Sequence, residues 1–318
     1  MATTGTKNRR QNKEMINIIF FGTPKIALKS LEYLYNSKYI NVTAVVTQPD
    51  KPAGRGHKIT MSPIKEFALT NNLPVFQPKS IRKELEIQEE LKKLAPDFFV
   101  TFAFGQILSQ EVLNIPKYDT INLHASLLPR YRGANPIQRA IMSGDKETGI
   151  CTMITELGLD CGDVCLTEKI PITEDMTINE LSEIISEKSP ELIEKTLIGL
   201  KNKTIIPVPQ CGECDCMANK LKKEECIINW NNPASDIHNL VRGICGCPSA
   251  YFIYSDKMIK VLATRVIDKV IPPGEFGNTT KEGVEIGCGK DSLLLVKVKP
   301  EGKGAMFARD WYNGLKNK

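Results

Sequence analysis

The chain has 318 residues, of which 42% are hydrophobic and 25% are charged, and it carries a formal net charge of +5. This length suits one large or two medium domains, and the composition is that of a globular protein. No apolar run approaches the roughly 20 residues that span a bilayer, so we expect no membrane association. Residues 1–14 are polar and lack the apolar segment of a secretory signal, and we expect a disordered extension there.

Ten cysteines occur in the chain. In a chain of this length without a secretory signal, they favour reduced thiols over disulfides and indicate a cytoplasmic protein. Cys211, Cys214 and Cys216 form a C-x-x-C-x-C pattern that offers three soft ligands to zinc or an iron–sulfur cluster. A fourth ligand is missing unless a later cysteine folds back, so we expect incidental thiols and no metal.

Strand-like and helix-like segments alternate over the first two-thirds of the chain. The apolar, strand-like runs are Ile16–Phe21, Val42–Val46, Asp97–Phe102 and Thr120–His124. The segments with helical spacing of apolar residues are Lys25–Tyr35, Pro63–Asn71 and Arg82–Leu94. This alternation predicts an α/β fold with a Rossmann-like, mostly parallel sheet, whose ligands bind beyond the carboxyl ends of the strands.

The pattern changes after residue 150. Two strands, Ile150–Ile154 and Val164–Ile172, flank an acidic loop that contains glycine, and Ile178–Leu200 is helical. Residues 202–219 contain proline and glycine and are typical of a linker. Beyond the linker, short β-rich runs predict a small OB-like barrel; they are Ala250–Tyr254, Ile259–Val266, Gly283–Cys288 and Ser292–Val298. We therefore expect one domain over 15–201, a linker over 202–219 and a β domain over 220–318.

The positive charge is concentrated near the C-terminal end. Residues 218–318 contain 16 lysines and arginines against 11 acidic residues, which accounts for the whole excess of +5. A modest excess is usually only a solvated surface. Its segregation into one domain favours a polyanionic partner for that domain.

One short segment carries the candidate chemistry. Asn122 and His124 end the fourth strand-like run, and Asp160 lies in the later glycine-containing loop. Acyl transfer to an amine needs a neutral donor for the developing oxyanion and a base or proton shuttle, and a carboxylate orients the imidazole. An isolated N-x-H pair more often caps a strand or lies in a core. The sequence Ser126–Pro129 follows the pair closely, and with it the catalytic interpretation of Asn122 and His124 is favoured.

On these residues the chain resembles the folate-dependent formyltransferases, over nearly its whole length from Ile16. The N-x-H-x-S-L-L-P string at residues 122–129 is diagnostic of that superfamily, and Gly158–Asp163 continues the likeness. The Q-P-D-K-P-A-G-R-G string at residues 48–56 is more specific. It is similar to the loop of the members that formylate an initiator tRNA.

The resemblance implies an enzyme, expected to be monomeric, that acts in translation initiation. It transfers the formyl group of 10-formyltetrahydrofolate to the α-amino group of methionyl initiator tRNA by direct attack of the amine. Asn122, His124 and Asp160 match the family's catalytic trio, which stabilises the tetrahedral intermediate and relays the proton. The implied folate-binding residues are Ser126, Leu127, Leu128 and Pro129, with Phe104, Gly105 and Ile107 beside the pterin and Met153–Leu157 along the cleft.

The resemblance also implies two regions of tRNA contact. The loop after the second strand carries Lys51, Arg55 and Lys58, and arginine suits both phosphate and guanine edges. The basic β domain holds the tRNA backbone in this family. Lys220 and Lys222, at the linker exit, are candidates for that role, and they equally suit the exposed face of a short helix.

Three rival functions remain open. Another formyltransferase, acting on a purine-pathway amine or an amino sugar, would keep the 122–129 string without needing the Arg55 loop or the basic tail. A hydrolase of formyl-folate is a related possibility. In a different class, the protein would be a non-catalytic tRNA-binding or metal-binding module with the cysteines as ligands, which the presence of Asn122, His124 and Asp160 argues against.

Overall fold

The computed structural model describes residues 15–53, 58–212, 216–246 and 248–316. The chain divides into two units. The first comprises the described residues up to Leu123 together with Pro190–Ile206, and the second comprises His124–Ser189 and the described residues from Pro207 onward. None of the helices in these ranges is long and apolar enough to cross a membrane.

A parallel sheet lies at the centre of the first unit. The strands of this part of the chain are β1 (Ile16–Gly22), β2 (Ile40–Val46), β3 (Lys51–Ala53), β4 (Lys58–Thr60), β5 (Val75–Phe76), β6 (Phe98–Phe102) and β7 (Thr120–His124). Five of them run in the order β5-β2-β1-β6-β7, and every neighbouring pair is parallel. β1 and β6 are buried along nearly their full length, which is why both are continuous apolar runs. β3 and β4 form a separate antiparallel hairpin.

Helices cover the parallel sheet. They are α1 (Leu28–Tyr35), which follows a 3-10 turn at Lys25–Ala27, and then α2 (Pro63–Thr70), α3 (Leu85–Lys93) and α4 (Gln110–Leu113). The start of α2 is capped by Ser62, whose hydroxyl oxygen accepts the Lys65 backbone N–H at 3.1 Å. Between sheet and helices, the ring of Phe21 packs on Phe99 and Phe104, at centroid distances of 4.8 and 5.3 Å. These rings belong to one apolar core cluster of this unit.

The second unit begins with a helix and an antiparallel strand pair. These elements are α5 (Pro136–Met142), β8 (Glu147–Ile154) and β9 (Val164–Pro171). The register runs from Glu147 opposite Pro171 to Met153 opposite Val164, so the acidic loop predicted between the two strands is present at residues 155–163. The long helix α6 (Ile178–Lys201) contains Pro190, where the chain returns to the first unit.

An antiparallel sheet forms the C-terminal part of the second unit. Its strands are β10 (Tyr251–Tyr254), β11 (Lys257–Ile267), β12 (Phe276–Thr279), β13 (Val284–Gly287), β14 (Ser292–Pro300) and β15 (Met306–Phe307). They run in the order β10-β11-β14-β13-β12, with β15 paired to β14. Helices α7 (Ala234–Gly243) and α8 (Ala308–Lys316) pack on the sheet, and Trp311 contributes to its core. A mostly parallel first sheet followed by this antiparallel sheet confirms the predicted fold class.

Buried polar side chains fix α7 to the turn at residues 173–176 within the second unit. The guanidinium of Arg242, which is 5% exposed, donates to two backbone carbonyls of that turn at 2.8 and 3.2 Å. His238 Nδ1 lies 2.9 Å from Thr264 Oγ1, and His238 Nε2 lies 3.3 Å from the Glu174 carbonyl oxygen. Because a carbonyl only accepts, neutral His238 carries its proton on Nε2 and accepts from the threonine hydroxyl through Nδ1.

This environment predicts an acid-sensitive stability. Burial lowers the pKa of His238 below its ordinary value of 6.5, and Asp175 opposes the shift only in part. The unfolded chain therefore binds more protons than the folded chain, so stability falls as the pH drops through 6.5 towards the lowered folded value. We expect the melting temperature of His238→Gln to fall less over this interval than that of the wild type.

Thermal denaturation at a series of pH values and constant ionic strength checks this expectation. Asp175→Asn is the matched variant, because removal of the neighbouring carboxylate lowers the pKa of His238 further and steepens the acid loss. An unchanged pH dependence in His238→Gln would show that another group titrates.

Candidate active site

The carboxyl ends of the parallel strands provide the setting for the site. Gly22 at the end of β1 is opposite Phe102 at the end of β6, and Thr101 of β6 is opposite Asn122 of β7. Residues 47–50 follow β2 and residues 103–107 follow β6, so both segments emerge at this edge of the sheet. The predicted position of the chemistry, at strand ends in a parallel sheet, agrees with the structure.

The Asn122 side chain is oriented by a buried threonine. The hydroxyl of Thr101, which is 6% exposed, donates to Asn122 Oδ1 at 2.7 Å. This bond assigns the oxygen end of the amide to the sheet and turns Nδ2 the other way. Among the described residues, Nδ2 has no acceptor within hydrogen-bond distance. Asn122 is thus a fixed, neutral donor with free hydrogen-bonding capacity.

His124 follows two positions later on β7, so its side chain projects on the same side of the strand as Asn122. The ring is buried, and Nε2 lies 2.9 Å from the backbone carbonyl oxygen of Tyr131. A carbonyl cannot donate, so Nε2 must carry a proton in both the neutral and the charged ring. Nδ1 lies 3.6 Å from Asp160 Oδ2 and is the ring atom that gains or loses a proton.

Asp160 is held in a left-handed backbone conformation, with φ of 48°. Its Oδ2 accepts the Gly133 backbone N–H at 2.8 Å, and this is the same oxygen that faces His124. Gly133 has φ of 122°, and a Cβ there would lie 2.8 Å from the Ala218 carbonyl oxygen, so glycine is required. The carboxylate is thereby aimed at the imidazole by backbone atoms.

The arrangement can hold a proton between a base and a carboxylate. When His124 is protonated, Nε2 donates to the Tyr131 carbonyl and Nδ1 faces an anionic partner, so both N–H groups are directed at acceptors. When it is neutral, Nδ1 presents a lone pair next to Asp160. The structure therefore brings His124 and Asp160 together, with Asn122 on the same strand as His124.

The predicted folate segment at residues 126–129 consists of one buried polar residue and three apolar residues. Ser126 is fully buried, and its hydroxyl donates to the Arg130 carbonyl at 2.7 Å, so its side chain stabilises the loop. Leu127, Leu128 and Pro129 are half-buried, and the Leu128–Pro129 peptide bond is cis.

The other predicted folate residues fall into buried and exposed groups. In the first unit, Phe104 is buried against Phe21, whereas Gly105 is exposed with φ of 81° and Ile107 is 69% exposed. In the second unit, the 153–157 segment runs from buried to exposed, and the buried Thr155 Oγ1 has no hydrogen-bond partner among the described residues. These residues stay predicted ligand contacts, each described within its own unit.

The predicted tRNA loop has a rigid base. Lys65 Nζ donates to Asp50 Oδ2 at 2.6 Å, and Gln77 Nε2 donates to Asp50 Oδ1 at 2.8 Å. These bonds hold the chain where it enters the β3–β4 hairpin, on which Lys51 is exposed. Lys58 is the first residue of β4, and Arg55 lies outside the described residues. The structure thus shows the support of this loop and the exposure of Lys51.

The remaining candidates lie at and after the linker. Lys220 and Lys222 are exposed, and Lys222 directly precedes a 3-10 turn at Lys223–Cys226. Within the described residues, no group of three or more His, Cys, Asp or Glu side chains is arranged to hold a metal ion. Of the predicted cysteine cluster, Cys214 is outside those residues.

Two family models match this chain. A family model described as formyl transferase matches residues 15–197, and one described as formyl transferase, C-terminal domain, matches residues 220–316. The chain belongs to the formyl transferase family. The predicted family is therefore confirmed, and residues 198–219 lie between the two matched regions.

Two relatives in this family are named methionyl-tRNA formyltransferase. That of Clostridium perfringens (strain 13 / Type A) is 46% identical over 301 residues, which cover 94% of this chain and 97% of the relative. That of Clostridium botulinum (strain Alaska E43 / Type E3) is 47% identical over 291 residues, which cover 91% and 93%. A solved N-formyltransferase from Helicobacter canadensis, in complex with folinic acid and dTDP-3-aminofucose, has a TM-score of 0.65 at 21% identity. It covers 89% of this chain and 99% of that one, and shares the fold.

Several groups of the site escaped the sequence reasoning. Tyr131 and Gly133 contribute a backbone carbonyl and a backbone N–H, which no side-chain pattern reveals. Thr101 is one polar residue in an apolar strand, and its position opposite Asn122 depends on the pairing of β6 with β7. A polar residue inside an otherwise apolar buried strand was the only available signal.

The Thr101–Asn122 bond predicts a role for Thr101 in formyl transfer. Thr101→Val keeps the side-chain volume but removes the hydroxyl, so Asn122 Oδ1 loses its donor and Nδ2 its fixed direction. Leaving a buried acceptor unpaired costs about 1–3 kcal/mol. We expect kcat to fall about tenfold, a part of the 10²–10³-fold that loss of an oxyanion donor costs.

Steady-state kinetics and thermal denaturation of Thr101→Val check this expectation. Thr148→Val is the matched control, because the Thr148 hydroxyl is buried on β8 without a partner among the described residues. The control should keep both its rate and its melting temperature. An unchanged kcat in Thr101→Val would show that the hydroxyl does not orient the amide.

Proposed function

We propose that this protein transfers the formyl group of 10-formyltetrahydrofolate to the α-amino group of methionyl initiator tRNA. The observation that carries the proposal is the pairing of His124, the last residue of β7, with Asp160, together with Asn122 on the same strand, whose oxygen is held by Thr101. The high identity to two methionyl-tRNA formyltransferases supports the choice of acceptor. The Helicobacter enzyme, whose fold is shared, was solved with a folate derivative.

The residues fit a formyl donor in three respects. Asn122 Nδ2 is a donor without an acceptor in the described chain, and it suits an oxygen that gains negative charge. Leu127, Leu128 and Pro129 offer half-buried apolar side chains, which suit the face of a flat ring. Thr155 Oγ1 is buried without a partner among the described residues, so a ligand atom would satisfy it.

In the proposed mechanism the amine attacks the formyl carbon directly, and Asn122 donates to the resulting oxyanion. His124 exchanges a proton through Nδ1, because Nε2 is committed to the Tyr131 carbonyl. Asp160 stabilises the imidazolium while it holds that proton, and the same charge on His124 favours the oxyanion. The proton then passes to the departing amine of the donor, so protons balance over one turnover and no protein nucleophile is needed.

The proposal that the acceptor is a tRNA rests on the distribution of positive charge and on the basic loop that follows Asp50. The excess of positive charge lies in residues 218–318, where Lys220 and Lys222 are exposed. The chain that leads to Arg55 is anchored through Asp50, which gives this basic segment a defined starting point. We extend the proposal to a monomer that acts in the cytoplasm, where translation initiates.

The decisive experiment measures transfer of labelled formyl from 10-formyltetrahydrofolate to methionyl initiator tRNA, with nucleotide-linked amino sugars and small amines as competing acceptors. We expect the tRNA to be the preferred acceptor by several orders of magnitude in kcat/KM. Preference for an amino sugar would support the rival formyltransferase, and release of free formate without any acceptor would support a hydrolase.

His124→Ala should abolish transfer while the protein still folds. General acid–base groups contribute about 10²–10⁴-fold to the rate. In the variant, neither the Tyr131 carbonyl nor Asp160 can replace Nδ1 of the missing ring. His238→Gln is the matched control, since that histidine is a residue of α7 bonded to Thr264 and takes no part in the proposed chemistry. Single-turnover rates and circular dichroism of both variants give the comparison, and near-normal turnover in His124→Ala would contradict the assignment.

Arg55→Ala should weaken tRNA binding and leave folate binding unchanged. If Arg55 contacts a phosphate, the slope of log affinity against log salt should also decrease by about 1. Lys93→Ala is the control, because Lys93 is an exposed lysine of α3 paired with Glu90. Filter binding of methionyl initiator tRNA at several salt concentrations measures both quantities, and wild-type affinity with a wild-type slope would remove Arg55 from the interface.

A further inference from the structure

The segment between the two family matches makes backbone contacts with the active-site loops of the second unit. Val208 pairs with Val164 through two N–H to carbonyl bonds of 2.9 Å, and the Ala218 N–H donates to the Arg132 carbonyl at 2.7 Å. The Tyr131 N–H donates to the Cys216 carbonyl at 2.8 Å. The segment predicted to be a simple linker is therefore bonded to the chain on both sides of the His124–Asp160 pair.

Gln210 makes the most specific of these contacts. Its Nε2 donates to the Asp160 carbonyl at 2.9 Å and to the Gly162 carbonyl at 2.8 Å. Its Oε1 accepts from Arg132 Nε at 2.9 Å and from Arg132 Nη2 at 2.6 Å. All four hydrogen-bonding positions of one amide are used, and they join the carboxylate loop to the loop that holds Tyr131 and Gly133.

Resting on the proposed function, we propose that Gln210 is a positioning residue that sets the distance between Asp160 and His124 for proton transfer. Asp160 has φ of 48°, a conformation that is unfavourable for a residue with a side chain. The hydrogen bond from Gln210 Nε2 to the backbone carbonyl of Asp160 helps to hold that conformation. The bond from Arg132 brings the opposite loop, whose Gly133 N–H holds the Asp160 carboxylate, to the same amide.

The geometry separates this role from a merely structural one. Asp160 Oδ2 and His124 Nδ1 lie 3.6 Å apart, so a small rotation of the 160–162 loop changes how strongly the carboxylate stabilises the imidazolium that forms when His124 takes up the proton. Among the described residues, the Gln210 side chain makes no hydrogen bond to a predicted substrate-binding side chain, and it is half-buried. Its loss should therefore change the rate of the chemical step rather than the binding of either substrate.

The test is the kinetics of Gln210→Ala with 10-formyltetrahydrofolate and methionyl initiator tRNA. We expect kcat to fall about 10- to 100-fold, as a misplaced catalytic group causes, while both KM values stay near those of the wild type. Gln210→Glu should be as slow, because a carboxylate still accepts from Arg132 but cannot donate to the two carbonyls. It also replaces Gln210→Ala if that variant fails to fold.

A double-mutant cycle with Asp160→Asn distinguishes positioning from general destabilisation. If Gln210 acts through Asp160, adding Gln210→Ala to Asp160→Asn should cause little further loss of kcat. Gln88→Ala is the matched control, since Gln88 is a buried glutamine of α3 that donates to the Ile81 carbonyl at 2.8 Å. It should lower the melting temperature without lowering kcat.

Three results would overturn the positioning role. The first is a wild-type kcat in Gln210→Ala. The second is a fall in kcat, on adding Gln210→Ala to Asp160→Asn, as large as the fall in the wild-type background. The third is a change in KM with kcat unaltered. Each leaves the proposed function intact, because the wild type and Asp160→Asn still report on it. If the wild type itself fails to formylate the tRNA, the proposed function is wrong, independently of Gln210.

Discussion

The hydrogen bond from His124 Nε2 to the Tyr131 carbonyl decides what the imidazole can do. It assigns one ring nitrogen permanently as a donor and leaves Nδ1, which faces Asp160, for proton exchange. Tyr131 has a left-handed backbone conformation, with φ of 60°, and its N–H donates to the Cys216 carbonyl. The chemistry therefore depends on the path of a loop rather than on the histidine alone.

Much of the fold was predictable where burial dictates composition. β7 was predicted with its observed limits, Thr120–His124, because apolar and polar residues alternate along T-I-N-L-H as in a β-strand. Helix α7 was missed, although Ile237 and Val241 have helical spacing, because half of its ten residues are polar. The β3–β4 hairpin was also missed, since proline and glycine in that stretch are typical of a loop.

The candidate site divides in the same way between side chains and backbone. Asn122, His124 and Asp160 were predicted from residue types and from the family resemblance, because the chemistry demands those side chains. Tyr131 contributes a backbone carbonyl and Gly133 a backbone N–H. Every residue type has the first group, and every type except proline has the second, so only the folded path of the chain selects these two. Gln210 gave no signal, because it lies in a segment whose composition suggests only a connection.

The pairing of Val208 with Val164 and of Ala218 with the Arg132 loop limits how freely the C-terminal sheet can be exchanged. A junction at residue 202 would separate residues 208–218 from the loops to which they are bonded, whereas a junction at residue 220 keeps that stretch and those loops together. Chimeric enzymes with a foreign C-terminal sheet would therefore need this stretch and the loops it contacts from one parent. Recombination within the family is modular only if the connection is inherited together with the loops of residues 131–135 and 160–164.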